Sequence, residues 1–286
     1  MTVLVSGATG TTGSEVVRQL RAAGVAVRAM TRSAESAGRL RDQDLEAVVA
    51  DLSEPASLPP ALDGVDAVYV ASPASPQLPQ HEGNLARAAA RAGVGHLLKL
   101  SVIGCSPESP ITFGRLHFEA EQAVKDSDVR WTIVRPNGFM QNTLAWAGQI
   151  AGGTVYAPVM NARWSIVDVR DIAAVVVAAL QDPEAHGGEA YTITGSAASS
   201  PREQVAILAE VLGREIAAQE VSIEQAQQSM RDAGWPTWNA ERMGELFRLY
   251  ANRLAEATSP DLERVTRRPP RDYRQFAADH REVFGG

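Results

Sequence analysis

The sequence predicts an α/β protein: a doubly wound parallel sheet with a smaller, mostly helical C-terminal lobe. Three observations predict it. Short apolar runs alternate with helical stretches through the first half of the chain. Those runs are apolar almost throughout, as strands are when helices cover both faces of a sheet. The second half drops this rhythm and reads mostly as helix.

Taken in order, residues 2–6 (TVLVS) are the first strand, and residues 14–23 (SEVVRQLRAA) have helical spacing closed by Gly24. Residues 26–30 (AVRAM) form a second strand and 33–41 a helix. Residues 46–50 (EAVVA) form a third strand that ends at Asp51, and 67–70 (AVYV) a fourth. An alanine-rich helix at 80–92 ends at Gly93. Residues 97–100 (LLKL) are the fifth strand, 112–126 a helix, and 131–135 (WTIVR) a sixth strand cut off by Pro136. Residues 137–150 look helical until Gly152 and Gly153 break them. Residues 165–167 return to strand, 168–180 to helix, and 190–193 to one more apolar strand. An amphipathic helix at 201–212 is closed by Gly213. After a short strand at 217–221 the rest is mostly helical, with Trp235 and Trp238 flanking Pro236. This organisation divides the chain into a sheet domain, residues 1–136 completed by 162–195, and a smaller lobe of 137–161 and 196–286. A small-molecule site is expected in a cleft between the two.

The bulk properties exclude several function classes. With 286 residues and a formal net charge of −7, the chain is a poor partner for nucleic acid. One cysteine, Cys105, excludes an internal disulfide framework and fits a reducing cytoplasm. No stretch is long enough to span a bilayer, and no charged leader precedes the first strand. The five histidines are scattered without ligand spacing, so no metal is expected. A small-molecule substrate and a monomer or homodimer are expected.

Gly7-Ala8-Thr9-Gly10-Thr11-Thr12-Gly13 joins the first strand to the first helix. A strand, a glycine-punctuated turn and a helix in that order make a phosphate cradle. Gly7 permits the tight turn, Gly10 lets a pyrophosphate approach the backbone, and Gly13 lets the helix pack closely on the strand. The helix N-terminus presents free N–H groups and a partial positive charge to the phosphates. Thr9, Thr11 and Thr12 belong to the same cofactor-binding turn. The spacing is GxxGxxG rather than the GxGxxG of the general dinucleotide fingerprint.

In such sheets ligands lie beyond the carboxyl ends of the strands. This marks Thr31-Arg32-Ser33, Asp51-Leu52, Ala71-Ser72-Pro73, Ser101 to Gly104, and Arg135-Pro136-Asn137. Ala71, Ser72, Ser101, Pro136 and Phe139 are expected to border the cofactor. The end of the second strand selects between the two nicotinamide cofactors. An acidic residue there would bond the ribose hydroxyls of NAD, but there is no carboxylate until Glu35. Arg32 offers a charged donor fork suited to a 2′-phosphate, and Thr31 and Ser33 add hydroxyls. NADPH/NADP is therefore the expected cofactor. Asp51, with Leu52, would lie near the adenine, or Asp51 forms a turn.

The opening turn, these strand ends and the later motifs resemble the atypical short-chain dehydrogenase/reductases. Within them the chain resembles the NmrA-like group, which includes quinone and triphenylmethane-dye reductases. The residues that carry this are GATGTTG at 7–13, MTRS at 30–33, Asp51-Leu52, KLSVIG at 99–104 and GRLHFEAEQAV at 114–124. They continue with WTIVRPNGFMQN at 131–142, SIVDVRDIAAVVVAAL at 165–180, GEAYTITG at 188–195 and RRPPRDYRQFAADH at 267–280. The resemblance implies an NAD(P)-binding Rossmann fold and NADPH as cofactor. It implies either a reductase of a quinone-like or other conjugated small molecule, or a non-catalytic NADP(H)-sensing regulatory protein.

Most of the wider superfamily uses a Tyr-x-x-x-Lys pair on the helix after the fifth strand. Here His117 and Glu121 stand in those places, and the only lysines are Lys99 and Lys125. His117 and Glu121 lie four apart on a predicted helix and share a face. A carboxylate beside an imidazole favours the imidazolium. His117 is then expected as a proton donor near neutral pH, or as a pocket-lining residue. Ser101 matches the superfamily's catalytic Ser/Thr region and is expected to hold the substrate oxygen. Reducing a simple ketone makes a localised alkoxide that needs a strong positioned acid. Hydride addition to a quinone, a cationic dye, an iminium or an enone avoids that demand. A site without the Tyr/Lys pair therefore favours electron-poor conjugated acceptors.

Phe113, Phe139, Met140, Trp146, Tyr156, Trp164, Trp235 and Trp238 fall in segments expected to wall the substrate cleft, where flat aromatic substrates stack. Asn137 and Asn142 are expected to orient a polar group of the substrate. Asp168 and Asp171 read as structural, and Arg267, Arg268 and Arg271 as a solvated face.

Overall fold

The computed structural model describes every residue, Met1–Gly286. In chain order the elements are β1 (Thr2–Val5), α1 (Thr11–Ala22), β2 (Ala26–Thr31), α2 (Ala34–Arg41), β3 (Glu46–Val49), α3 (Leu58–Leu62), β4 (Ala67–Val70), α4 (Leu78–Arg91), β5 (His96–Leu100), α5 (Thr112–Lys125) and β6 (Arg130–Pro136). There follow α6 (Ala147–Ala151), β7 (Thr154–Ala157), α7 (Val169–Gln181), α8 (Pro183–His186), β8 (Ala190–Ile193), α9 (Pro201–Leu212), β9 (Ala217–Glu220), α10 (Ile223–Asp232), α11 (Thr237–Ala251), α12 (Asp261–Thr266) and α13 (Tyr273–Asp279). No helix is long and apolar enough to cross a membrane.

Seven strands form one sheet in the order β3-β2-β1-β4-β5-β6-β8, and β7 pairs only with β9. The pairings from β3 across to β6 are all parallel. The order reverses between β1 and β4, the switch point at which such sheets open a crevice beyond their strand ends. Val3, Leu4 and Val5 of β1 and Val68, Tyr69 and Val70 of β4 are wholly buried, and all but Leu4 are the β-branched or aromatic side chains that suit a covered pleated surface. One charged residue breaks the pattern: Lys99, inside β5, is fully buried.

The chain forms two compact units. The first comprises Met1–Glu108, Phe113–Arg135 and Ile172–Tyr191; the second comprises Ser109–Thr112, Pro136–Asp171 and Thr192–Gly286. Residues 162–171, read from the sequence as part of the sheet domain, cluster with the second unit. In the first unit, Leu4, Val68 and Leu97 of the sheet pack with Leu58 and Leu62 of α3 and Leu85 of α4. In the second, Ile150, Val155, Ile166, Leu208 and Phe276 make a separate core. There α9 starts on a capping box between Ser200 and Glu203 and stops at Gly213, whose φ of 70° is left-handed.

Three segments depart from the sequence expectation. Residues 137–150 are not one helix: a 3-10 turn over Met140–Trp146 precedes the short α6. The backbone before it is pinned extended, because Phe139 bridges to Val167 and the Asn137 amide binds the Gly138 N–H. Residues 165–167 form no strand: only Val167 makes an isolated bridge, to Phe139. Helix α4 starts earlier than expected, with a proline in its first turn, where a missing N–H leaves no hydrogen bond unmade.

Candidate active site at the strand ends

The turn after β1 is built to exclude side chains. Gly7 has φ 61°, and a Cβ there would stand 3.0 Å from the Ala71 carbonyl oxygen. The Gly10 N–H donates to the Gly7 carbonyl at 2.9 Å. A Cβ on Gly13 would run into that same carbonyl. Helix α1 starts on Gly10 with no side-chain cap and no acidic residue in its first turn, so its first N–H groups remain for a ligand. Thr9, Gly10 and Thr11 are exposed. Such a cradle of bare backbone donors fits the pyrophosphate of a dinucleotide. Thr12 differs from expectation. It is buried, and its Oγ1 accepts a hydrogen bond from the Tyr69 hydroxyl at 3.2 Å, so only its backbone faces the turn.

At the end of β2, Arg32 is exposed and its guanidinium takes part in no ion pair. Ser33 caps α2 by accepting from the Ser36 N–H at 3.1 Å. Asp51 Oδ1 accepts from both the N–H and the hydroxyl of Ser53, each at 2.8 Å. These bonds hold its carboxyl below the ordinary range, so Asp51 acts as a turn former. Leu52 is not at the surface of the site: its side chain lies in the core and its carbonyl accepts from Asn84. The Ala71 N–H and carbonyl both bond the Ser6 hydroxyl. Ser72 Oγ donates to Glu82 Oε1 at 2.8 Å.

The structure corrects the partner expected for His117. Glu121 does not reach it. Instead His117 Nδ1 lies 3.2 Å from Lys99 Nζ, which also bonds Glu82 and the Leu100 carbonyl. Burial, reinforced by the Lys99 charge, holds the imidazole well below its ordinary pKa, opposite to the shift a carboxylate would cause. His117 is a neutral ring at neutral pH, not an imidazolium.

Glu121 serves a different cluster. It is fully buried, accepts from Ser101 Oγ at 2.5 Å, and takes Arg135 through both oxygens at 2.9 and 2.5 Å. Burial alone would raise its carboxyl, but the bonds from Arg135 and Ser101 outweigh that and hold it low. Burial and the same carboxylate push the Cys105 thiol up to about 12. Ser101 is itself buried, and its one O–H is committed to Glu121. It therefore lacks the free donor that the substrate-oxygen role requires. His117 Nε2, by contrast, has no protein partner and is not sealed from solvent.

Phe113, in the first unit, is half-buried. The remaining expected substrate residues lie in the second unit. Asn137 is buried and spent internally: its amide donates to Ser165 Oγ and the Ala255 carbonyl, both at 2.9 Å, and accepts from the Gly138 N–H. Met140 is 2% exposed and belongs to the core. Neither is available to a ligand. Trp146 packs on the same core, and Trp164 does so while stacking on Tyr250 with centroids 4.2 Å apart. Pro136 is buried, Phe139 is half-buried and Asn142 is exposed. Trp238 carries Arg242 over its ring, and Trp235 and Tyr156 are exposed. Arg271 is not simply solvated. Its side chain and its N–H both bind the buried carboxylate of Asp171.

Lys99 and Glu82 are the site residues that the sequence reading missed. A signal was present: a lysine inside the apolar run LLKL must be buried with a partner.

Comparison with known proteins places the chain. A family model described as NAD(P)H-binding matches residues 7–183. An NAD(P)H azoreductase from Xenophilus azovorans is 40% identical over 284 residues, 99% of each chain. The (4-alkanoyl-5-oxo-2,5-dihydrofuran-3-yl)methyl phosphate reductase of Streptomyces griseus is 39% identical over 284 residues, again 99% of each chain. Among solved structures, the triphenylmethane reductase of Citrobacter sp. complexed with NADP(H) matches with a TM-score of 0.84 at 24% identity. That match covers 98% of this chain and 99% of the other, and it shows the shared fold.

Proposed function

Because the chain belongs to the NAD(P)H-binding family, we propose that this oxidoreductase uses NADPH to reduce a conjugated, electron-poor acceptor of quinone, azo or related aromatic type. The observation that carries the reading is His117. Its neutral imidazole offers one N–H through Nε2. A neutral imidazole is a weak acid. It suits a product anion whose charge is delocalised and fails a localised alkoxide. The azo and oxo-dihydrofuran groups in the names of the two relatives are both conjugated acceptors.

Bound NADPH supplies the hydride. The chain's own residues do the rest. The bare N–H groups at the start of α1 hold the pyrophosphate. Arg32 receives the 2′-phosphate through its donor fork. His117 donates from Nε2 to the oxygen or nitrogen on which charge collects. The single free cysteine fits a reducing cytoplasm, where we place the enzyme as a monomer or homodimer.

The test is turnover with NADPH and a panel of quinones, azo dyes, enones, cationic triphenylmethane dyes and aliphatic ketones, followed by nicotinamide absorbance. Oxidation is expected with conjugated acceptors, and His117→Ala should lower kcat on azo and quinone substrates. Fast reduction of aliphatic ketones with the conjugated acceptors inert would overturn the proposal. Tight cofactor binding without turnover of any acceptor would favour an NADP(H) sensor instead.

A further inference from the structure

The Lys99–Glu82 ion pair is fully buried. Burying two charges costs desolvation that their attraction often fails to return, and apolar replacements of such pairs are commonly neutral or stabilising. Stability is therefore a weak reason for the pair to exist, and its connections offer a better one. Ser72 and Lys99 bind opposite oxygens of Glu82, which fixes the carboxylate. Glu82 and the Leu100 carbonyl, the latter at 3.0 Å, take two of the Lys99 protons. The third faces His117 Nδ1 at 3.2 Å. An ammonium carries three N–H donors and no acceptor. Nδ1 must then be the bare nitrogen, and the ring proton sits on Nε2.

We propose that Lys99 is a positioning residue that fixes His117 as the Nε2–H tautomer and lends it a proton during the reaction. This rests on the reductase reading above. As the Nε2–H bond breaks toward the acceptor's oxygen or nitrogen, an N–H bond of Lys99 breaks and a new one forms at Nδ1. The imidazole stays neutral throughout, and Lys99 becomes a neutral amine held by Glu82. When solvent returns a proton to Nε2, Nδ1 returns its proton to Lys99, and the cycle closes with one proton drawn from water. His117 thereby avoids becoming an imidazolate, while the acid drawn on, an ammonium, is by nature far weaker than an imidazolium and still suits only a delocalised product anion.

Two measurements test this. The first is nitrogen NMR of the His117 ring in 15N-labelled protein without cofactor. Wild type is expected to show a bare Nδ1 and a protonated Nε2. A proton resident on Nδ1 would overturn the proposal without any variant. In Lys99→Met/Glu82→Leu, which removes both charges and leaves no orphaned carboxylate, the ring should populate both tautomers. Persistence of a pure Nε2–H form would overturn the role of Lys99. The second measurement compares acceptors. An azo dye takes a hydride and a proton, whereas a cationic triphenylmethane dye takes a hydride alone. The double variant should lose about a hundredfold in kcat on the azo dye and at least about tenfold less on the cationic dye. Equal losses on both would sink the proton loan. If wild type turns over no acceptor, the reductase reading fails while the NMR result still decides whether Lys99 sets the tautomer.

Discussion

Replacing Gly13 by alanine probes the phosphate cradle directly. The new Cβ would meet the Gly7 carbonyl oxygen, and would lie 2.7 Å from its carbon and 3.1 Å from Ala8 Cα. All three are backbone atoms of the turn, so no side chain can swing aside and the turn itself must move. Alanine in place of glycine favours the helix by about 1 kcal/mol, while overpacking costs about 1–3 kcal/mol. The net loss of stability should be small, at most about 2 kcal/mol. Binding should suffer more. A displaced turn that loses one charge-assisted bond to phosphate forfeits about 1.5–3 kcal/mol, roughly a tenfold to hundredfold rise in the NADPH Kd. Gly24→Ala is the control. Its φ of 72° is left-handed and no atom lies within 4 Å, so it should lose about 1–2 kcal/mol of stability and bind NADPH as before. Calorimetric titration with NADPH and urea unfolding measure the two quantities. Wild-type NADPH affinity in Gly13→Ala would refute the cradle.

Arg32→Ala should weaken NADPH roughly tenfold to a hundredfold, the loss of a charged hydrogen bond, with little change for NADH; equal losses for the two cofactors in competitive titrations would remove the 2′-phosphate role. His96 offers a pH test of stability. It is buried, its Nε2 bonds Thr132 Oγ1 at 2.9 Å and its Nδ1 has no partner. Burial, then the Arg130 charge, holds it down to about 4, whereas the unfolded chain takes up that proton near 6.5. The folded pKa is depressed, so this stability is complete above pH ~6.5 and is lost as pH falls toward 4, about 3 kcal/mol in all. Melting temperatures from pH 7 to 4 should decline more steeply in wild type than in His96→Gln, and matching slopes would contradict the assignment.

The sheet was legible because β1 to β6 are short, largely apolar runs bounded by glycine, proline and polar turns. The alternation with helices then leaves few topologies. β7 was not legible, since four residues of TVYA pair only with β9 and carry no local signal. Residues 137–150 misled for the same reason. Their helical spacing is overridden by distant partners, the bridge from Phe139 to Val167 and the bond from Asn137 to Ala255.

At the site, the geometry of single turns was legible and the pairing of distant side chains was not. The glycine cradle and Arg32 belong to single turns whose geometry follows from neighbouring residues. The spacing of His117 and Glu121 suggested a pair, but a shared helix face does not decide which side chains meet. Glu121 turns to Arg135 and Ser101, while His117 meets a lysine from β5. That pairing reverses the sign of the pKa shift and, with it, the protonation state assigned to the donor.

Hydride delivery is tested most directly by single-turnover reduction of a conjugated acceptor with NADPH deuterated at either face of C4. A primary isotope effect from one face and none from the other is predicted, with one acceptor reduced per NADPH oxidised. NADPH that binds but is not oxidised, or that shows no isotope effect from either face, would contradict the assignment of this chain as a reductase.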